Sequence, residues 1–294
     1  VDGEADSIDP ATAYVLSGGQ RGTSPSEELA VFHDGGYAFV RSPQPSAEQA
    51  LKDCSYLAFA AAFHSRAHKH ADDLNLVWFD AGHQILTDAG RFGYGELLPV
   101  DSPLRREGFY YSSPERQYVE GTMAHNTLMM DGANQGRRSR DQYGSAIGQC
   151  THENGIFDLS GRVQHTDYIH RRRLVFQPGK ELLIKDAVFS QGPESREATL
   201  WFNIPEEFEL RSADEIVVFE LNDDLGPLRL TVEGPGRLLN PVRGQTEPLR
   251  GWRSRKDREL EPVWSLGFTF DIETRASVDT VFRLERNSEA DTRG

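Results

Sequence analysis

The chain has 294 residues, 37% of them hydrophobic, and a formal net charge of −14. That charge argues against general nucleic-acid binding, and no apolar run approaches the roughly eighteen residues of a membrane-spanning helix. Two cysteines, Cys54 and Cys150, exclude a disulfide framework; one bridge between them is possible, and the compartment stays open.

The chain opens on Val1-Asp2-Gly3-Glu4 with neither an initiating Met nor a signal peptide, and so reads as a fragment whose upstream part is missing. Residues 1–28, rich in Ser, Gly, Asp and Pro, read as an extended lead-in. From Leu29 short apolar segments alternate with Gly and Asp. Ala30–His33 and Tyr37–Arg41 flank Asp34-Gly35-Gly36 as a hairpin, and Ser46–Leu51 invites a short helical turn. Tyr56–His64 is a strand. Leu74–Phe79 and Gln84–Asp88 make a second hairpin around Asp80-Ala81-Gly82. Residues 91–119 lack clear periodicity and read as a long loop, a kind that is usually functional in a compact domain. Strands are expected at Thr127–Met130, Gly155–Leu159, Tyr168–Phe176, Glu181–Phe189, Glu197–Asn203, Ile216–Leu221, Leu228–Val232, Trp264–Asp271 and Ser277–Leu284. The fold class is therefore all-β, a large antiparallel sandwich over residues 29–294, with no composition shift marking a second domain.

The chemistry gathers in three segments: His68-Lys69-His70-Ala71-Asp72, Thr87-Asp88-Ala89-Gly90, and Ala124-His125-Asn126-Thr127. In an extended chain side chains alternate faces, so His68 and His70 are expected to point the same way. The second hairpin would return Asp88 towards His70. Two imidazoles and a carboxylate suit zinc, with a fourth position for water or another group, so His70, Asp88 and His125 read as metal ligands and His68 is left over. Arg66, Lys69, Arg91, Arg105, Arg106, Arg116, Arg137, Arg138 and Arg140 share this third of the chain, and guanidinium groups suit uronate carboxylates or sulfates.

The run Phe63–Asp72, then Leu86–Gly90, then Thr122–Thr127 resembles the heparinase II/III-like polysaccharide lyases, in particular the β-sheet domain that follows their helical domain. The resemblance implies β-elimination on a uronic-acid-containing acidic polysaccharide, with zinc or a similar divalent cation held by His70, Asp88 and His125, largely to fix local architecture. It implies a catalytic role for His68, which matches the position of an active-site histidine. Removing a C5 proton needs a base, a proton donor to the leaving oxygen and a neutraliser for the carboxylate. Tyr94, Tyr110 and Tyr111 in the long loop could donate a proton or hold a sugar hydroxyl, with Tyr94 taken as catalytic and the other two as substrate-binding. Arg66 and Arg91 are candidates for substrate anions, and Asn126 and Asp72 are expected to orient the histidines. His152, His165 and His170 match no motif and read as ordinary surface or sheet residues.

Such enzymes also carry a helical toroid that supplies a catalytic Tyr with His or Asn partners, and nothing in residues 1–62 reads as several amphipathic helices. The upstream toroid is thus an expected partner, and the chain alone an incomplete site. Two other classes fit the residues: a carbohydrate-binding or structural domain without turnover, and a cupin-like metal-dependent hydrolase.

Overall fold

The computed structural model describes residues 9–17, 20–23, 27–42, 54–192 and 194–286. Five strands in chain order, Leu29–Phe32, Tyr37–Ser42, Ser55–Ala60, Asn75–Asp80 and His83–Leu86, form an antiparallel meander. An eight-stranded antiparallel sheet holds the long hairpins of the second half of the chain. A six-stranded sheet is built on Arg196–Pro205 and Glu261–Ile272, with Leu128–Met130 at its edge.

The alternation expected of half-buried strands is clearest in Tyr168–Gln177, which pairs with Glu181–Ser190 across the turn at Pro178-Gly179-Lys180. Its inward positions include Leu174 and Phe176, but also His170 and Arg172. Asp186 lies directly opposite Arg172 on the neighbouring strand, and it accepts from Arg172 Nε at 2.8 Å and from His170 Nε2 at 2.6 Å. Inward charges survive in a core only when paired in this way. His170 is therefore a core residue, and His165, 5% exposed, is another; reading them as ordinary surface or sheet histidines misses their burial. His152 fits that reading better, lying half-open on the ring of Phe157.

One continuous apolar core joins the sheets. Trp78 of the five-stranded sheet meets Phe176 and Phe282 of the eight-stranded sheet edge-on at 5.8 and 6.5 Å, and Phe202 of the six-stranded sheet meets Phe282 at 5.1 Å. Each such ring contributes about 1.5–3 kcal/mol when fully buried.

The expected hairpins form; some strands run longer than expected, as Glu261–Ile272 and Arg275–Arg286 do, whereas Gln84–Asp88 stops at Leu86, Thr127–Met130 begins at Leu128 and Tyr56–His64 is interrupted at Ala61. The lead-in differs, because Pro10–Leu16 is a helix whose first amides donate to Asp9, Ala11 N–H at 2.9 Å and Thr12 N–H at 3.2 Å. The long loop of residues 91–119 also contains two helices, Pro103–Glu107 and Pro114–Glu120. The helical turn expected at Ser46–Leu51 lies outside the described residues. Cys54 and Cys150 are not joined by a disulfide. No helix among the described residues is long and apolar enough to cross a membrane.

Candidate functional site

The Thr87-Asp88-Ala89-Gly90 segment leaves the edge strand His83–Leu86 in a tight turn. Gly90 has φ of +70°, and a Cβ there would stand 2.1 Å from the carbonyl oxygen of Ser254, so only glycine fits. The turn lets Gly90 N–H donate to Asp88 Oδ1 at 2.9 Å. Oδ2 accepts from Asn75 Nδ2 at 2.7 Å and lies 2.7 Å from His125 Nδ1. Burial pushes the Asp88 carboxyl up, but His125 and the Gly90 amide outweigh it and hold the value at about 2. An ionised carboxylate only accepts, so Nδ1 of His125 carries a proton.

His125 is 1% exposed, and its Nε2 has no hydrogen-bond partner among the described residues. Burial works to lower its proton affinity, and the Asp88 carboxylate outweighs this and raises it. The His70 ring stands 5.4 Å away, centroid to centroid, tilted by 49°. Burial first, and His125 second, lower His70 to about 3, which leaves it neutral with a lone pair to give. Among the described residues no three His, Cys, Asp or Glu side chains already stand at metal-holding distances, since Asp88 turns Oδ2 to the His125 ring. The donor types still fit a divalent ion: an orphaned imidazole nitrogen, a neutral imidazole on the neighbouring ring, and a carboxylate on the far ring nitrogen.

Asn126 and Asp72 do not orient these rings. The Asn126 amide donates to the carbonyls of Leu76 at 2.7 Å and Thr87 at 2.8 Å and accepts from Asn203 N–H at 2.8 Å. Arg172 reaches in from the eight-stranded sheet to the carbonyls of Asn126 at 2.6 Å and Leu74 at 3.0 Å. Asp72 is ion-paired with Lys69. The residue that does fix Asp88, Asn75, belongs to no motif.

The segment carrying His68 and His70 is not a strand, which removes the reason for placing both on one face. His68 takes φ of 59°, a left-handed conformation uncommon outside glycine, so it is exposed while His70 turns inward and is half-buried. His68 Nδ1 lies 3.3 Å from the hydroxyl of Tyr94. Arg91 lies 4.8 Å over the Tyr94 ring and donates to its hydroxyl at 3.4 Å, and Tyr111 packs on the same ring at 5.3 Å. Tyr110 accepts from Arg138 Nη1 at 2.7 Å. Arg66 donates to the carbonyl of Arg140 at 3.0 Å and to Asp141 at 3.0 Å. A cavity of about 170 Å³ brings His68, Arg66, Tyr110 and Tyr111 together, and Tyr94 packs against its residues His68 and Tyr111, with Arg91 over the Tyr94 ring. A larger cavity, about 1020 Å³, covers the outer face of the five-stranded sheet and is lined by none of the residues expected in the site.

A buried polar frame lies beneath the cleft. Arg116 Nε donates to Glu120 Oε1 at 2.6 Å, one turn along the helix Pro114–Glu120. Arg137 Nη1 donates to Glu120 Oε2 at 3.2 Å and to the carbonyl of Lys69 at 2.6 Å, and Ala71 N–H donates to the carbonyl of Glu120 at 2.9 Å. In the sequence Arg116 and Arg137 are only two members of a basic stretch, and Glu120 carries no signal.

Residues 24–292 match the sequence profile of the family described as Heparinase II/III-like, C-terminal. The chain belongs to this family. This heparinase II/III-like domain superposes on a structure titled Heparinase III-BT4657 gene product with a TM-score of 0.73, at 17% identity, covering 96% of this chain and 40% of that one. Heparan sulfate lyase HepC from Pedobacter heparinus gives a TM-score of 0.73 at 15% identity, again with 96% and 40% coverage. These likenesses carry the fold, and the chain spans about two fifths of the length of those structures. A 64-residue stretch is 34% identical to an alginate lyase of Stenotrophomonas maltophilia, 22% of this chain and 8% of that protein.

Proposed function

We propose that this chain is the β-sandwich part of a polysaccharide lyase that cleaves uronic-acid-containing acidic polysaccharide by β-elimination. The observation that carries the reading is the exposed imidazole of His68 within 3.3 Å of the Tyr94 hydroxyl, at the rim of a basic cleft. In the proposed reaction the C5 proton of the uronate leaves to a base, the electron pair forms the C4–C5 double bond, and the C4–O4 bond breaks. The departing oxygen takes a proton from an acid. His68 supplies an imidazole, a side chain able to act as base or acid, and Tyr94 is a phenol within its reach. Arg66, Arg91, Tyr110 and Tyr111 hold the sugar and its charge. His70 and His125 would hold zinc or a similar divalent cation, with Asp88 completing the site through its bond to His125 Nδ1. A bound ion supplies a fixed positive charge that ties the three motif segments together.

The carboxylate neutraliser and a further Tyr come, in this reading, from an upstream helical toroid, so the 294-residue chain alone lacks substantial activity. The test is to join the chain to its upstream coding sequence and to incubate it with alginate and heparan, following the near-ultraviolet absorbance of the unsaturated uronate. Growth of that product in the joined enzyme and its loss in His68→Ala are expected. Reducing sugar released without the chromophore would mean hydrolysis and would overturn the reading.

A further inference from the structure

We infer that the cavity beside His68, walled by Arg116 and Arg137, is a binding site for a single oxyanion group of an acidic sugar, a uronate carboxylate or a sulfate ester. The sugar identity rests on the lyase reading; the anion site rests on charge and geometry. A volume of about 170 Å³ is smaller than the ~300 Å³ at which whole-ligand pockets begin, so the cavity takes one substituent rather than a length of polymer.

The charges around it do not balance. Lys69 and Arg140 answer Asp72 and Asp73, and Arg66 answers Asp141. Arg116 and Arg137 share one carboxylate, Glu120. Both guanidinium groups are at most 4% exposed, so one buried positive charge has no counter-charge of its own. An uncompensated buried charge is costly. Arg137 Nη2, also buried, has no hydrogen-bond partner among the described residues. Its guanidinium lies 4.1 Å over the ring of Phe109, a weaker partner than an anion. Burial lowers the proton affinity of Arg137, and Glu120, with a smaller contribution from Asp72, offsets this only in part. A carboxylate or sulfate in the cavity supplies the missing charge, and guanidinium forks match their geometry. Because His68 lines the same cavity, an oxyanion held there brings the adjacent sugar carbons to the imidazole.

The test is an NMR titration of this chain, labelled with ¹⁵N-arginine, against sodium glucuronate, sodium sulfate and uncharged methyl glucoside at constant chloride. The Nε–Hε signal of Arg137 is expected to shift saturably with an anion and to stay still with methyl glucoside. Saturation by glucuronate alone assigns a carboxylate, and saturation by sulfate alone assigns a sulfate ester. Arg137→Gln is expected to weaken anion binding about tenfold or more. An Arg137 signal that does not move in the wild-type chain, or that moves equally with methyl glucoside, overturns the inference even if the variant does not fold. Absence of turnover in the joined enzyme would count against the lyase reading instead, since this titration reads equilibrium binding alone.

Discussion

Asp88 Oδ2 and His125 Nδ1 lie 2.7 Å apart, and that one bond decides what the rest of the imidazole offers. With Nδ1 committed, Nε2 is the nitrogen left for a ligand; it is buried, and the His70 ring lies 5.4 Å from the His125 ring. A carboxylate behind a histidine both fixes the ring and strengthens it as a donor.

The chain is accordingly expected to hold about one equivalent of zinc or a similar ion, and His70→Ala and His125→Ala to lose it. Asp88→Asn should weaken binding by about 10- to 100-fold, the usual effect of removing such an orienting carboxylate. Elemental analysis and thermal melts with and without chelator check this. Metal content that is unchanged in His70→Ala would remove His70 from the ligand set.

His68→Ala should keep the metal and the melting temperature of the parent, because His68 is exposed and among the described residues its side chain bonds only to the Tyr94 hydroxyl. In the joined enzyme the same substitution, and Tyr94→Phe, should each lower kcat by about 10²- to 10⁴-fold, the range of general acid–base contributions. Should Tyr94→Phe turn over at the parental rate, the phenol has no part in proton transfer.

Much of the scaffold was legible in the chain, and much of the site was not, for physical reasons that differ by element. Asp34-Gly35-Gly36 and Pro178-Gly179 mark turns through local backbone preferences, so the flanking strands follow. The helix Pro114–Glu120 had a readable signal in Ser113-Pro114, with the Ser113 hydroxyl capping Arg116 N–H at 3.3 Å, and its length alone hid it among the loop residues. The left-handed turn at His68 had none, since it is imposed by contacts that Glu120 and Arg137 make with Lys69 and Ala71 from far along the chain. Asn75 likewise becomes a partner of Asp88 only through sheet pairing.

Gly90→Ala tests the turn. It combines a positive φ with a collision against Ser254 and should cost about 2–4 kcal/mol. Gly82→Ala, at φ of +85° with nothing within 4 Å, is the control and should cost about 1 kcal/mol from backbone strain alone. Equal losses in urea unfolding would mean that the approach to Ser254 is not what requires glycine.

Stability should fall on acidification through His165. Its Nδ1 accepts from Arg140 Nη1 at 3.0 Å, and burial, then Arg140, lower it from 6.5 to about 3. Below pH 6.5 the unfolded chain takes up a proton that the folded chain refuses. The contribution is therefore complete above pH 6.5 and is lost as the pH falls towards 3, with a slope of up to about 1.4 kcal/mol per unit. Urea unfolding between pH 7 and 4.5 should show a shallower slope in His165→Gln than in the parent. Parallel slopes would assign the acid sensitivity to other groups.

Asp88 hangs from the last strand of the five-stranded sheet, whereas His125 leads into the edge strand of the six-stranded sheet. Thr87 N–H to the carbonyl of Asn203, and the Asn126 amide, stitch those sheets at the same spot. The two ends of the Asp88–His125 bond are thus bolted to different plates, so their 2.7 Å separation depends on how those plates are held against each other. Transplanting the three histidine and aspartate segments onto another scaffold would therefore carry over the residues without the alignment, unless the seam between the plates went with them.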